Sequence, residues 1–359
     1  MVEWKRIGEI VRRNKGIPIT AGQMSELNSP IGNVRVFAAG QTIADICEND
    51  LPADCAYKKP SIIVKSRGYI DFEFYDKPFT HKNEMWSYSF EDRKIGKFIY
   101  YYLTTKTEFF RKKAKANSVK LPQLCVADTD NYLVPVLSLS EQNRIVGILD
   151  TFTTSIENLK EQITQRRKQY EHYRDQLLDL KGKEGMEKKT LGEICTVITG
   201  GEVPEDTIKG QLSPTTEYPY AVYTNGKETY GFTKSYQVEN DAVCISSIGA
   251  NTGAVFYKEG KFTPAIRLKV LIPIQKLNTR FLYYAASKID FRGKNTGSVP
   301  NINANYVKSK EIPVPSLFEQ QRIVSILDTF EASIANLEAQ LSQREKQYEY
   351  YRNKLVTFD

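Results

Sequence analysis

Two sets of side chains stand out for what they could bind. In the first third of the chain, Arg12, Arg13 and Lys15 precede a turn, and Lys58, Lys59, Lys65 and Arg67 bracket short β-rich runs. Arg111, Lys112, Lys113 and Lys115 form the densest cluster of positive charge. Further on, three polar, glycine-bearing stretches recur: Thr224 to Lys227, Ser246 to Gly253 and Arg292 to Ser298. They offer Asn225, Lys227, Ser246, Ser247, Asn251, Thr252, Arg292, Lys294, Asn295 and Ser298. Cations suit phosphate oxygens, while Asn, Ser, Thr, Lys and Arg carry the donors and acceptors that base edges demand. A plainer use exists for each, as a solvated charge or, for Asn225-Gly226 and Asn251, as turn formers.

Catalytic chemistry lacks its usual residues. The sequence has no GxxxxGK phosphate cradle, no GxGxxG after a strand and no HExxH. His81 and His172 are the only imidazoles, which leaves little room for a Cys–His nucleophile. His172 falls on a helical stretch where solvation accounts for it; His81, in a Thr-His-Lys-Asn loop, has hydrogen bonding or a nucleic-acid contact open to it. The five cysteines, at 47, 55, 125, 195 and 244, form no close ligand pair, and their odd number speaks against a disulfide framework. Asp71, Glu73 and Lys77 mimic part of a metal-dependent nuclease site, without the spacing of one and without a counterpart later in the chain. No signal peptide and no apolar span of ~20 residues is present, so a reducing cytoplasm and no membrane are expected.

The elements that must position these groups repeat. Ser138-Leu-Ser-Glu-Gln-Asn-Arg-Ile-Val-Gly-Ile-Leu-Asp-Thr-Phe152 returns as Ser316-Leu-Phe-Glu-Gln-Gln-Arg-Ile-Val-Ser-Ile-Leu-Asp-Thr-Phe330, 178 residues later. Alternating steps of four and three then pick out Ile145, Leu149, Phe152, Ile156, Leu159, Ile163, Arg166, Tyr170, Tyr173, Leu177 and Leu180. The second copy gives Ile323, Leu327, Phe330, Ile334, Leu337, Leu341, Arg344, Tyr348, Tyr351, Leu355 and Phe358. This 3.5-residue repeat is the seam of a coiled coil. Each helix would be roughly 60 Å long at ~1.5 Å per residue. An intramolecular antiparallel pair is the preferred arrangement, the alternative being that each seam recruits a second chain. Arg166 and Arg344 break both seams at the same place and must find a partner or reach water, for instance by passing Tyr170 and Tyr348.

The segments between the helices repeat more loosely. Leu191-Gly-Glu-Ile194 answers Ile7-Gly-Glu-Ile10, Val222 to Gly226 answers Val36 to Gly40, and Lys261-Phe-Thr263 answers Pro78-Phe-Thr80. Phe281-Leu-Tyr-Tyr284 matches Phe98-Ile-Tyr-Tyr101, and Gly297-Ser-Val299 matches Asn117-Ser-Val119. The expected fold is α+β: mixed α/β domains at 1–137 and 185–315, with spacer helices at 138–184 and 316–359. Of the formal net charge of +7, the excess lies in the domains, at 21 Lys/Arg against 16 Asp/Glu and 16 against 12. The helices carry 8 against 8 and 5 against 7. Two differently surfaced modules on a fixed spacer suit the reading of two marks on one extended partner, and DNA is the natural candidate. A protein scaffold is the competing class, and binding to duplex DNA separates the two.

These features together resemble the specificity subunit of type I restriction–modification systems. The resemblance rests on Pro313-Val-Pro-Ser-Leu-Phe-Glu-Gln-Gln-Arg-Ile-Val324, on its first copy at Val134 to Val146, on Ser298-Val-Pro-Asn-Ile302 and on the duplication. The first copy departs from it, with Ser118-Val-Lys-Leu-Pro-Gln-Leu124 and a single proline, Pro135, before the helix. The resemblance implies that the domains are target recognition domains, each reading half of a bipartite, asymmetric DNA sequence. It implies helices that pack antiparallel and dock two modification (methyltransferase) subunits, with restriction (translocase/endonuclease) subunits completing the complex. It also places S-adenosylmethionine, and ATP with Mg2+, in those partners and leaves this chain without a cofactor.

Overall fold

The computed structural model describes residues 2–118, 120–179, 187–274, 276–292 and 302–358. The chain forms two compact units, residues 1–161 with 339–359 and residues 162–338. Each unit therefore takes one globule together with a piece of both long helices.

In the first unit, Glu3–Arg6 pairs antiparallel with Leu133–Val136, closing the globule just before the first long helix. A four-stranded antiparallel sheet runs Arg12–Asn14, Trp86–Ser89, Ser61–Lys65, Asp71–Tyr75. Ser61–Lys65 is internal to that sheet, and its Ile62-Ile63-Val64 run is buried on both faces, as an unbroken apolar strand requires. A smaller sheet orders Ile43–Ile46, Val34–Phe37 and Phe79–His81, the last two strands parallel with Val36 opposite Thr80. The helix Arg93–Thr105 forms despite its tyrosines because Asp92 caps it, accepting from the Lys94 N–H, and because Phe98, Ile99, Tyr101 and Tyr102 turn one face inward. That face meets Ile62, Val64 and Tyr88 of the sheet, and Ile145, Leu149 and Val356 of the long helices, in one core.

The second unit repeats the plan. Glu187–Thr190 pairs with Glu311–Val314, and the larger sheet runs Cys195–Thr199, Lys269–Pro273, Ala242–Ile245, Val255–Lys258. The smaller sheet holds Thr229–Thr233, Tyr220–Tyr223 and Phe262–Pro264, with an additional edge strand, Ile208–Lys209. Val222 lies opposite Thr263 in a parallel pair, the counterpart of Val36 and Thr80. The one-turn helices Ile7–Ile10 and Leu191–Ile194, and the helices Arg93–Thr105 and Thr279–Ser287, occupy the positions their sequence matches assign. The match between Asn117–Val119 and Gly297–Val299 falls at Val119 and at 297–299 on residues outside those described.

The long helices span Leu139–Leu178 and Leu317–Val356, 40 residues each. In the first unit, Phe152 stacks on Tyr351 at 5.4 Å between centroids, and the Arg344 guanidinium lies 5.7 Å from the same ring. In the second, Phe330 stacks on Tyr173 at 5.3 Å with Arg166 at 5.8 Å. Residues seven apart on a helix are separated by roughly 10.5 Å, so each phenylalanine fits between an arginine and a tyrosine two turns apart. The matched arginines thus find aromatic faces as their partners, a cation–π contact, instead of passing Tyr170 and Tyr348. Ile145, Leu149, Ile156, Leu159, Ile163, Ile323 and Leu327 are buried. Tyr170, Leu177, Ile334, Leu337, Leu341, Tyr348 and Leu355 are half-buried, while Tyr173 and Tyr351 lie at the edge with 45% and 41% exposed. Leu180 falls outside the described residues, and Phe358, beyond the helix end, packs 6.2 Å from Phe98. Within the second unit Arg167 meets Glu338 at 2.5 Å while Tyr173 meets Phe330, so there the two helices run in opposite directions.

Candidate nucleic-acid interface

The candidate cations of the first globule divide into engaged and available groups. Lys65 is held by Glu73 at 2.7 Å with its side chain only 14% exposed, which removes it from any surface role. Arg111 pairs with Glu108 at 2.6 Å, donates to the Ile70 carbonyl at 3.2 Å and lies 5.6 Å over the Tyr69 ring. The hydrogen bond to Glu108 holds its guanidinium above its already high range. Lys58 meets Glu48 at 2.9 Å, Lys59 meets Glu91, Lys113 reaches Asp128 at 4.0 Å and Arg13 reaches Asp130 at 3.7 Å. Arg12, Lys15, Arg67, Lys112 and Lys115 are exposed and carry no ion pair among the described residues. Arg13 and Lys15 line a cleft of about 480 Å³ with Asn83, Glu84, Trp86 and Gln123.

His81 is fully buried: its Nδ1 lies 3.3 Å from the Lys82 carbonyl and its Nε2 3.1 Å from the Ser87 hydroxyl. The Lys82 carbonyl can only accept, so Nδ1 carries a proton, and burial pushes the pKa down to about 4, which leaves the ring neutral near pH 7. A surface contact to nucleic acid is thereby excluded for this imidazole in the folded globule.

In the second globule Ser246, Ser247 and Thr252 turn inward, while Lys227, Asn251 and Arg292 are exposed. Asn225 is the hub of the polar stretches: its amide donates to the Ile266 carbonyl at 2.5 Å, and its side-chain oxygen accepts from the Ser247 N–H at 2.7 Å and the Ser246 hydroxyl at 3.3 Å. Its own carbonyl accepts from the Asn251 amide at 3.2 Å. Ser247 donates to the Arg267 carbonyl at 2.6 Å, and Thr252 to the Gly249 carbonyl at 2.6 Å. Ser246, Ser247 and Thr252 are buried, which corrects their assignment as donors to base edges: their hydroxyls fix the loop from within. Arg292 is exposed but clamps the same loop, donating to the carbonyls of Thr252 at 2.7 Å and Ala250 at 2.6 Å. Lys227 is exposed, and its carbonyl accepts from the buried Lys258 ammonium at 2.5 Å. Lys294, Asn295 and Ser298 lie outside the described residues.

A pair of contacts that the sequence did not single out ties each globule to a long helix. Asp150 accepts from Lys97 at 2.7 Å and from the Tyr101 hydroxyl at 2.5 Å. Asp328 accepts from Arg280 at 2.6 Å and from the Tyr284 hydroxyl at 2.5 Å. Burial, then the bond to the carboxylate, raises both phenol pKa values well above the usual range, so these hydroxyls act as donors. The signal was present in the repeats: both aspartates sit in Ile-Leu-Asp-Thr-Phe and both tyrosines in the matched Phe-x-Tyr-Tyr. Among the described residues no group of three or more His, Cys, Asp or Glu could hold a metal ion, and no helix is long and apolar enough to cross a membrane.

The chain is thus built as two similar domains joined to repeated long helices, and comparison with known proteins gives the class to which that plan belongs. A family model, the type I restriction modification DNA specificity domain, matches residues 1–166 and again 183–345. The chain is 30% identical to the type I restriction enzyme EcoR124I/EcoR124II specificity subunit of Escherichia coli, across 99% of this chain and 94% of that one. It is 28% identical to the EcoprrI specificity subunit of the same organism, across 66% of this chain and 61% of that one. The crystal structure of the type I restriction–modification S subunit from M. genitalium superposes with a TM-score of 0.72 at 20% identity, covering 100% and 97% of the two chains. The chain belongs to the type I restriction–modification specificity family. Its role is that of the subunit that directs a methylation and restriction complex to a DNA target.

Proposed function

We propose that this chain reads a bipartite, asymmetric sequence in double-stranded DNA, with residues 1–137 reading one half and residues 185–315 the other. The long helices, at 138–184 and 316–359, act as an antiparallel coiled coil that fixes the distance between the two reading surfaces. The observation that carries this is the contrast in repetition: the Phe–Arg–Tyr and Asp–Tyr contacts of the helices recur in both units, while the loops of the globules share little. What must be constant is repeated, and what must discriminate has diverged.

Each helix also presents a bidentate pair on its first turns, Glu141 with Arg144 or Glu319 with Arg322, in which the arginine is exposed and the glutamate half-buried. These equivalent faces would each dock one modification subunit, giving two per specificity chain, with restriction subunits joining them. Methyl transfer from S-adenosylmethionine, and ATP- and Mg2+-dependent work, would belong to those partners; this chain is non-catalytic and acts in the cytoplasm. The test is mapping of N6-methyladenine across the genome of cells with and without this subunit, and again after exchange of residues 185–315 for those of another family member. One half of the motif should change and the other stay. A continuous motif, or a change in both halves, refutes the division.

A further inference from the structure

The turn Ala265-Ile-Arg-Leu268 combines a conformation and a composition that do not belong together. Ile266 and Arg267 have φ of +52° and +60°, and the Leu268 N–H bonds back to the Ala265 carbonyl at 3.2 Å. Two successive positive φ values with an i to i+3 bond are the pattern of a type I′ turn, which normally takes Asn-Gly or Asp-Gly. A β-branched residue is among the least suited to it. The conformation is imposed from outside: the Ile266 and Arg267 N–H groups donate to the carbonyls of Gly201 at 2.7 Å and Gly200 at 3.0 Å. The carbonyls of the same two residues accept from Asn225 and Ser247. Gly200 is needed for that approach, since a Cβ there would stand 2.7 Å from the Ala265 nitrogen.

Neither side chain is buried in the core. Ile266 is 38% exposed, and Arg267 is exposed with no hydrogen bond or ion pair to its guanidinium among the described residues. Both line a cleft of about 510 Å³ with Gly200, Gly201, Val203 and Ile248, and with Glu202 as its one acid. The first globule has its counterpart turn at Lys82-Asn-Glu-Met85, also closed by an i to i+3 bond, at 3.0 Å, and its Asn83, Glu84 and Met85 also line a cleft. There Asn83 and Glu84 have ordinary φ, and Glu84 pairs with Lys82 at 3.1 Å. The same place in the two globules thus differs in shape, charge and apolarity.

We infer that Ile266 and Arg267 are specificity-determining residues, held out by the Asn225–Gly200 framework to read base edges in the half-site of the second globule. This rests on the two-part reading proposed above. A branched apolar group suits a thymine methyl, and a free guanidinium suits the paired acceptors of guanine. The test uses the chain in complex with its modification subunit. An Ile266→Asn, Arg267→Gly double variant restores the residues that the turn prefers, so its Tm should equal or exceed that of the unaltered complex. In the methylated-adenine map it should lose discrimination, roughly tenfold or more, at one or more positions of one half-site, with the other half unchanged. Ile266→Gly and Arg267→Ala singly should each relax a subset of those positions. Unchanged discrimination in all three variants overturns the inference, as does a lowered Tm with both halves weakened alike. If the unaltered complex methylates no two-part motif, the division of labour falls first and this inference with it.

Discussion

The Tyr284 hydroxyl donates to Asp328 at 2.5 Å, and Tyr101 makes the same bond, at the same distance, to Asp150. The cations beside them differ. Lys97 meets Asp150 alone, whereas Arg280 is shared between Asp328 and Glu331, the latter at 2.8 Å. Asp150→Ala should therefore cost about 1–3 kcal/mol by leaving a largely buried lysine and phenol without an acceptor. Asp328→Ala should cost less, because Glu331 still receives the guanidinium. Denaturant titration of both variants checks the order, and equal losses would mean that Glu331 does not compensate.

The seam makes a second comparison available. Leu327 is fully buried, so Leu327→Ala should cost ~2–5 kcal/mol. Glu338 is an exposed partner of Arg167, and Glu338→Ala should cost under ~1 kcal/mol. Comparable losses at the two sites would count against a buried seam.

Protonation supplies a third. Burial lowers the His81 pKa to about 4, against an ordinary 6.5, so between those values the unfolded chain binds a proton that the native globule does not. Stability is then lost as pH falls from about 6.5 towards 4, by up to about 3 kcal/mol at the lower end. His81→Gln should flatten that part of the pH profile of thermal unfolding. An unchanged slope would assign the acid sensitivity to other groups.

Phosphate contact can be separated from scaffolding within one basic cluster. Lys112 and Lys115 are exposed and unpaired among the described residues, whereas Arg111 is committed to Glu108 and Ile70. Lys112→Ala with Lys115→Ala should weaken binding to all DNA sequences and lower the slope of log affinity against log salt by up to about 1.8. Arg111→Ala should act mainly on stability. A loss confined to one sequence, with the salt slope unchanged, would instead place these lysines at base edges.

Much of the architecture was legible because it depends on period and repetition. The 3.5-residue spacing located the long helices, and short matched runs such as Phe98 to Tyr101 and Phe281 to Tyr284 located equivalent helices in both globules. The candidate site was less legible, since residue type does not say which way a side chain faces. Ser246 and Ser247 have the composition of a reading loop and the burial of a core, because Asn225 draws them inward. Ile266 and Arg267 carry no composition signal; only backbone torsion sets them apart, and torsion depends on Gly200 and Gly201, some 65 residues away in the chain. Arg166 and Arg344 were legible as anomalies, but their aromatic partners lie on the other helix.

The two units differ in how they meet the ribosome. Residues 162–338 form a contiguous unit, complete as soon as its last residue emerges. The other unit, residues 1–161, is finished only by residues 339–359, which are translated after every other part of both units. Until then the core that holds Ile145, Leu149 and Phe98 lacks Val356, and Phe98 lacks Phe358 as a neighbour. The N-terminal recognition domain is thus the first to be made and the last to be closed.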